Sequence, residues 1–238
     1  DESLIVDALI DWLIYLAGMP VICLSESAMI LLAHFVDKGR TEVVARMDET
    51  LHSERKILEL GMYLKEMESP NLVVVKDWAL KGAVSVNYQY RLYAKGILDS
   101  LGVPIPEPRS RALSPIYTLI FTEKPKLDFG DPSGELGDVR DWADASSVMS
   151  IAGFVSRYLS YVSDFDQKTL EIRAFGLMKG KGFVVEDCPK VDKQIRSHFD
   201  AIGLLHPYIR VHAQPALDGM FEVAAELLDS GVIKGKYL

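Results

Sequence analysis

Two short stretches carry side chains whose types and spacing could do chemistry. Glu49-Thr-Leu-His52 sets a carboxylate and an imidazole three residues apart. On a helix that spacing places both on one face, the half-site that carboxylate-bridged di-iron bundles repeat. Glu26, on the preceding helical segment, is placed to lie opposite. The chain has no second ExxH, so a di-iron site would need a second copy to complete it. The plainer reading is an exposed helix with ordinary polar residues. The other stretch is SIAGFVSRYL (150–159), an apolar run that reaches Gly153 and then presents Ser156, Arg157 and Tyr158. A strand ending at the rim of a binding cleft reads this way, and so does a plain loop.

A third candidate lies upstream. Arg91 and Lys95 follow the strand candidate AVSVNY (83–88). In a dinucleotide fold the end of the second strand meets the adenosine ribose or its added phosphate, and basic residues there suit a phosphate-bearing cofactor. A solvated helix start is the plainer reading. GDPSGELG (130–137) is the closest glycine cluster, and it reads as a turn. No Walker loop, GxGxxG after a strand, or GxSxG is present, and His34, His198, His206 and His212 share no metal-ligand spacing with a carboxylate or thiol.

Composition narrows the classes. With 238 residues, 49% hydrophobic and 25% charged, the chain has material for one large domain or two small ones. A formal charge of −8, with lysines and arginines scattered among acids, argues against a nucleic-acid binder. Cys23 and Cys188 form no CxxC pair, which points to a reducing, cytoplasmic setting. Asp7, Asp11 and Glu26 interrupt the apolar N-terminal stretch, so a membrane span is not expected.

The elements that must position these residues read as follows. Helices are expected over 2–17, with Leu4, Ala8, Trp12, Tyr15 and Leu16 at helical spacing, over 26–38 before Gly39, and from Asp48 as a cap through Met62. TEVVA (41–45) is a short strand candidate. The stretch 71–102 fits either one long helix or helix, strand and helix broken at Gly82; β-branched content favours the second. VPIPEPRSRALSP (103–115) is an irregular connector. Beyond it, strands IYTLIFT (116–122), KLDF (126–129), VMSIAGF (148–154), YIRVHA (208–213) and IKGKYL (233–238) alternate with helices, one of them over 190–204. That alternation indicates an α/β sheet.

Several of these segments, in order, resemble the zinc-independent medium-chain reductases, in the branch of the prostaglandin and leukotriene reductases. LDFGDPSGEL, SIAGFVSRYL, EIRAFGLMKGKGFVV and ALDGMFEVAAELLDSGVIKGKYL each resemble a segment of that branch. ALKG (79–82) and ILDSLG (97–102) fall where it places the end of its first nucleotide-domain helix and its second helix. The resemblance covers residues 71–238. It implies a Rossmann-type parallel sheet flanked by helices, with residues 1–70 as a helical N-terminal segment. It also implies NADPH-dependent reduction of α,β-unsaturated carbonyls or quinones by hydride transfer. Arg91, Lys95, Gly153, Ser156 and Tyr158 would then line the NADPH cleft, with Tyr158 bonding the carbonyl or enolate oxygen of the enone or quinone. KEMESPN (65–71) stands where the family has a glycine-rich phosphate turn. An alternative follows from that: an inactive relative serving as a structural or interaction subunit, as a homodimer or within a larger assembly.

Overall fold

The structure, a computed structural model, describes residues 2–19, 21–113, 151–182, 194, 197 and 213–234; for residues 2, 3, 151, 152, 168 and 213 it describes the backbone alone. Among these residues are nine α-helices, one 3-10 helix and no extended strand. The expected α/β fold, with its Rossmann-type parallel sheet, is therefore corrected to an all-α one. The chain divides into two units, Asp1–Arg109 and Ser110–Leu238, and the divide falls inside the proline-rich connector.

Unit 1 holds α1 (Glu2–Ala17), α2 (Ile22–Asp37), α3 (Glu42–Leu51), α4 (Glu54–Glu66), a 3-10 helix (Pro70–Val75), α5 (Lys76–Ala83) and α6 (Tyr88–Ser100). Helix α4 packs against α2, α3, α5, α6 and the 3-10 helix, while α1 packs against α2 and α3. Ile10, Ile14, Met29, Leu32, Met47, Ile57, Leu58, Leu60, Leu64, Ile97 and Leu98 fill the core. Local chemistry sets the boundaries. Ser53 caps α4 by accepting from the Lys56 amide, and Asn87 caps α6 by accepting from the amides of Gln89 and Tyr90, which satisfies amides that a helix start leaves unpaired. After α2 and α6 the chain turns through Gly39 and Gly102, at φ +95° and +64°, the left-handed conformation that glycine adopts without a side-chain penalty. Asn71 donates to the carbonyls of Val36 and Asp37 at 2.9 and 3.1 Å, so it ties the 3-10 helix to the open end of α2.

Unit 2 contains α7 (Ile151–Val162), α8 (Gln167–Gly180) and α9 (Ala213–Asp229), each packed against the other two. Leu159, Leu170, Phe175, Met178, Met220, Val223 and Leu227 are buried among them. Asp166 caps α8 by accepting from the Thr169 amide at 2.9 Å. Arg173 grips Glu226 with two nitrogens, the bidentate geometry that fits guanidinium to carboxylate. Gln194 and Ser197 are helical, in keeping with the helix expected over 190–204.

Each strand expectation inside the described residues fails for a local reason. Of TEVVA, Thr41 precedes α3 and residues 42–45 form its first turn, because Val43, Val44 and Met47 are buried at helical spacing and the β preference of valine yields to packing. AVSVNY covers the end of α5, a cap and the start of α6: Val84 and Val86 are exposed, and Ser85 Oγ accepts from the Asn87 amide. The expected break near Gly82 is real, since α5 ends at Ala83. The described part of VMSIAGF lies in α7. Strands IYTLIFT and KLDF, the glycine turn 130–137, most of YIRVHA and most of IKGKYL lie outside the described residues. At 65–71 the chain leaves α4 in a tight turn, with Glu68 at φ +52° and Ser69 capping the 3-10 helix; the element preceding that turn is a helix.

Two glycines of unit 2 predict opposite outcomes. A Cβ on Gly219 would stand 2.8 Å from the Ala174 backbone oxygen, whereas one on Gly176, in the body of α8, would meet nothing within 4 Å. Gly219→Ala should therefore destabilise the chain by about 1–3 kcal/mol through overpacking against backbone. Gly176→Ala should stabilise it by about 0.5–1 kcal/mol. Chemical denaturation followed by circular dichroism separates the two; equal effects would contradict the close α8–α9 approach.

Candidate interaction surface

The residues singled out for chemistry divide between the two units. In unit 1, Arg91 is buried on α6 and its Nε donates to the Ser85 carbonyl oxygen, while Lys95 is exposed one turn later. In unit 2, Gly153, Ser156 and Tyr158 all lie on α7, so Gly153 ends no strand. Ser156 is fully buried; its hydroxyl lies 3.0 Å from the Gly153 carbonyl oxygen and 2.9 Å from Glu171 Oε1. Tyr158 is 39% exposed on the outward side, with Phe154 and Tyr161 four residues before and three after it. The half-site reading of Glu49 and His52 also changes. Helix α3 ends at Leu51, and His52 turns left-handed at φ +47°, so the pair does not share a helical face. Glu26, Glu49 and His52 are each exposed, and no group of three metal-binding side chains occurs among the described residues. His198, His206, His212 and Cys188 lie outside those residues.

A polar cluster that sequence reasoning missed lies between α2, α4 and α6. Lys56 Nζ donates to Ser25 Oγ at 2.9 Å, and Ser25 Oγ donates to the Ala17 carbonyl oxygen at 2.8 Å. The same ammonium lies 2.9 Å from Glu59, which also meets Arg55 at 3.4 Å. All three charged side chains are about four-fifths buried. On α6, Gln89 donates to the Tyr93 hydroxyl at 2.9 Å, and the buried Gln89 Oε1 has no hydrogen-bond partner. Burial, and then the carboxylate of Glu59, raise the pKa of Tyr93; burial, then Glu26 and Glu59, raise that of Tyr63. Both phenols therefore stay protonated. Glu59 pairs with both cations, and Lys56 ties α4 to Ser25 on α2, which fits a structural network.

The more unusual surface is on α1. Its inward face is Ile10, Leu13, Ile14 and Ala17. The residues whose spacing marked the helix lie mostly on its outward face: Leu4, Trp12 and Tyr15 are 68%, 57% and 61% exposed. Ile5 and Leu9 join them at 70% and 41%, and Ala8 is exposed as well. The helix is thus apolar on both sides, with a polar margin at Asp7 and Asp11. That margin is already neutralised. Arg40 pairs with Asp7 and Glu42, and Arg46 with Asp7 and Asp11, so α1 is clasped to the α2–α3 turn and to α3. Arg40 pulls the Glu42 pKa down by a direct hydrogen bond. The signal was present in the sequence: a helix apolar around most of its circumference has more than one face to bury.

No family model, curated protein or solved structure matches the chain.

The polar cluster carries its own prediction. Glu59→Gln leaves Lys56 and Arg55 without their carboxylate in a largely buried setting and should cost about 1–3 kcal/mol. The phenols add a pH dependence with a definite sign. Tyr63 and Tyr93 hold their protons more tightly folded than unfolded. Above about pH 10 the unfolded chain therefore ionises first, and stability falls as pH rises. Denaturation midpoints across that range should decline less steeply in Tyr93→Phe; an unchanged slope would show that Tyr93 does not contribute.

Proposed function

We propose that this chain is a helical assembly subunit whose work is to join another protein through the outward face of α1. The observation that supports this reading is the exposed apolar stripe of Leu4, Ile5, Leu9, Trp12 and Tyr15 on a helix already packed by its opposite face. A contiguous apolar patch of a few hundred Å² is the usual mark of an interaction site, and aromatic anchors at its centre are the side chains that dominate binding energy. The clasp of Arg40 and Arg46 holds α1 so that this stripe stays outward. NADPH-linked reduction of an enone or quinone lacks support by comparison. The sheet edge that would carry its cofactor has no counterpart among the described residues.

If the stripe serves assembly, the fold does not need it. The double variant Ile5→Ser, Trp12→Ser should keep the helical circular dichroism of the parent and change the unfolding free energy of dilute chain by less than about 0.5 kcal/mol. The same variant should lose most of the anilinonaphthalene sulfonate fluorescence that dilute parent chain gives. Unfolding of the variant would mark these residues as core, and unchanged dye binding would place the sticky surface elsewhere.

A further inference from the structure

We infer that the partner of this face is a second copy of the chain, paired antiparallel along α1; the inference rests on the assembly reading above. Ile5, Ala8, Trp12 and Tyr15 recur in alternating steps of three and four residues, the a and d positions of two heptads. Leu9 and Leu16 flank this seam on one side, and Leu4 and Asp11 on the other. Side-chain volume selects the orientation. An antiparallel pair sets a positions against d positions, so Trp12 lies over Ala8 of the second copy and Ile5 against its Tyr15. Each large residue then meets a smaller one, the alternation that close packing requires. A parallel pair would set Trp12 against Trp12 and leave a gap between the two Ala8 methyls. The antiparallel arrangement also opposes the two helix dipoles favourably.

Charge and area agree with a self-complementary contact. The chain carries a net charge of −8, which opposes association of copies wherever carboxylates meet. The carboxylates beside this seam, Asp7 and Asp11, are paired to Arg40 and Arg46 of the same unit. In the antiparallel pair Leu9 lies beside Leu9 of the second copy on one side, and on the other Asp11 approaches Asp11 as an ion pair with its own Arg46 rather than as a bare carboxylate. The side chains of the stripe, two of them aromatic, present on the order of 500 Å² per copy. Pairing covers roughly 1,000 Å² in total, the lower bound of specific interfaces and the size class of weak dimers. A two-fold axis closes such a contact without leaving a second sticky face for further growth.

Sedimentation equilibrium of the full chain tests this, together with the variants A8E, W12K and the double variant A8E/W12K. The parent should dimerise with a dissociation constant in the micromolar range. Each single variant should weaken the dimer by roughly ten-fold or more. The double variant should recover much of that loss, because antiparallel pairing sets each new carboxylate against an ammonium of the other copy, whereas parallel pairing would set like against like. A dimer that both single variants leave intact would overturn the inference, since association would then run through another surface. A parent that stays monomeric at hundreds of micromolar while still binding the dye would also overturn it, leaving the face to a different protein and the assembly reading standing. A monomer that binds no dye would remove both.

Discussion

Unit 1 depends on how closely α6 and the 3-10 helix can approach α4. Gly61, on α4, makes room for both: a Cβ there would stand 2.6 Å from Ile97 Cδ1 and 3.0 Å from Val75 Cγ2. Gly82, on α5, lets α6 in on the other side, with Ala94 Cβ and the Tyr90 carbonyl oxygen at 3.2 and 3.4 Å from where its own Cβ would be. With that spacing set, Ile57, Leu58, Leu60 and Leu64 fill the interior, and the remaining stripe of α4 must carry its polar residues between helices. Arg55, Lys56 and Glu59 therefore sit largely buried. Such a network stabilises little by its presence and costs a good deal when one member is removed. The Lys56 bond to Ser25 on α2 reaches outside the helix, so one rotation of α4 satisfies it and the glycine contact together.

Helix positions in unit 1 were largely legible from the sequence, and helix faces less so. Apolar spacing located α1 and α2 to within a few residues, and Gly39 marked the end of α2 because a left-handed residue after a helix favours glycine. The helix expected from Asp48 to Met62 is two, broken at His52 and Ser53, since an apolar face can run on across a break that a capping serine makes. In 71–102 the break was placed correctly and its content was not. Val84 and Val86 suggested a strand by their type, yet Ser85 and Asn87 between them use their side chains to start α6. Capping chemistry of this kind needs only two residues and outweighs a weak β preference.

Unit 2 shows how a short apolar run misleads. SIAGFVSRYL lacks the length to separate a strand from a helix by period, and the hydroxyl after the glycine looked like the edge of a cleft. On α7 the same residues sort by helical geometry: Gly153, Ser156 and Leu159 are buried, and Phe154, Arg157 and Tyr158 point outward. A buried serine needs no cleft when the carbonyl one turn back and a carboxylate on α8 lie within reach. Its polarity is consumed inside the unit. Nothing local in the sequence places Glu171 beside Ser156, because that contact is made by the packing of two helices.

The apolar character of α1 raises a problem that the clasp solves. A helix with two apolar faces could turn and bury the wrong one, exposing Ile10 and Ile14 in place of Trp12 and Tyr15. Hydrophobic burial alone discriminates weakly between those settings, because both faces gain by leaving water. Asp7 and Asp11 break the tie. Each pairs with an arginine held at a fixed place, Arg40 in the turn after α2 and Arg46 on α3, and Arg46 also donates to the Asp7 carbonyl oxygen at 3.1 Å. Turning α1 by half a revolution would carry both carboxylates away from their arginines. Exposed ion pairs contribute little to stability, yet a modest difference suffices to choose between two settings of similar burial. These charges therefore decide which side of α1 belongs to the core and which remains available to a partner.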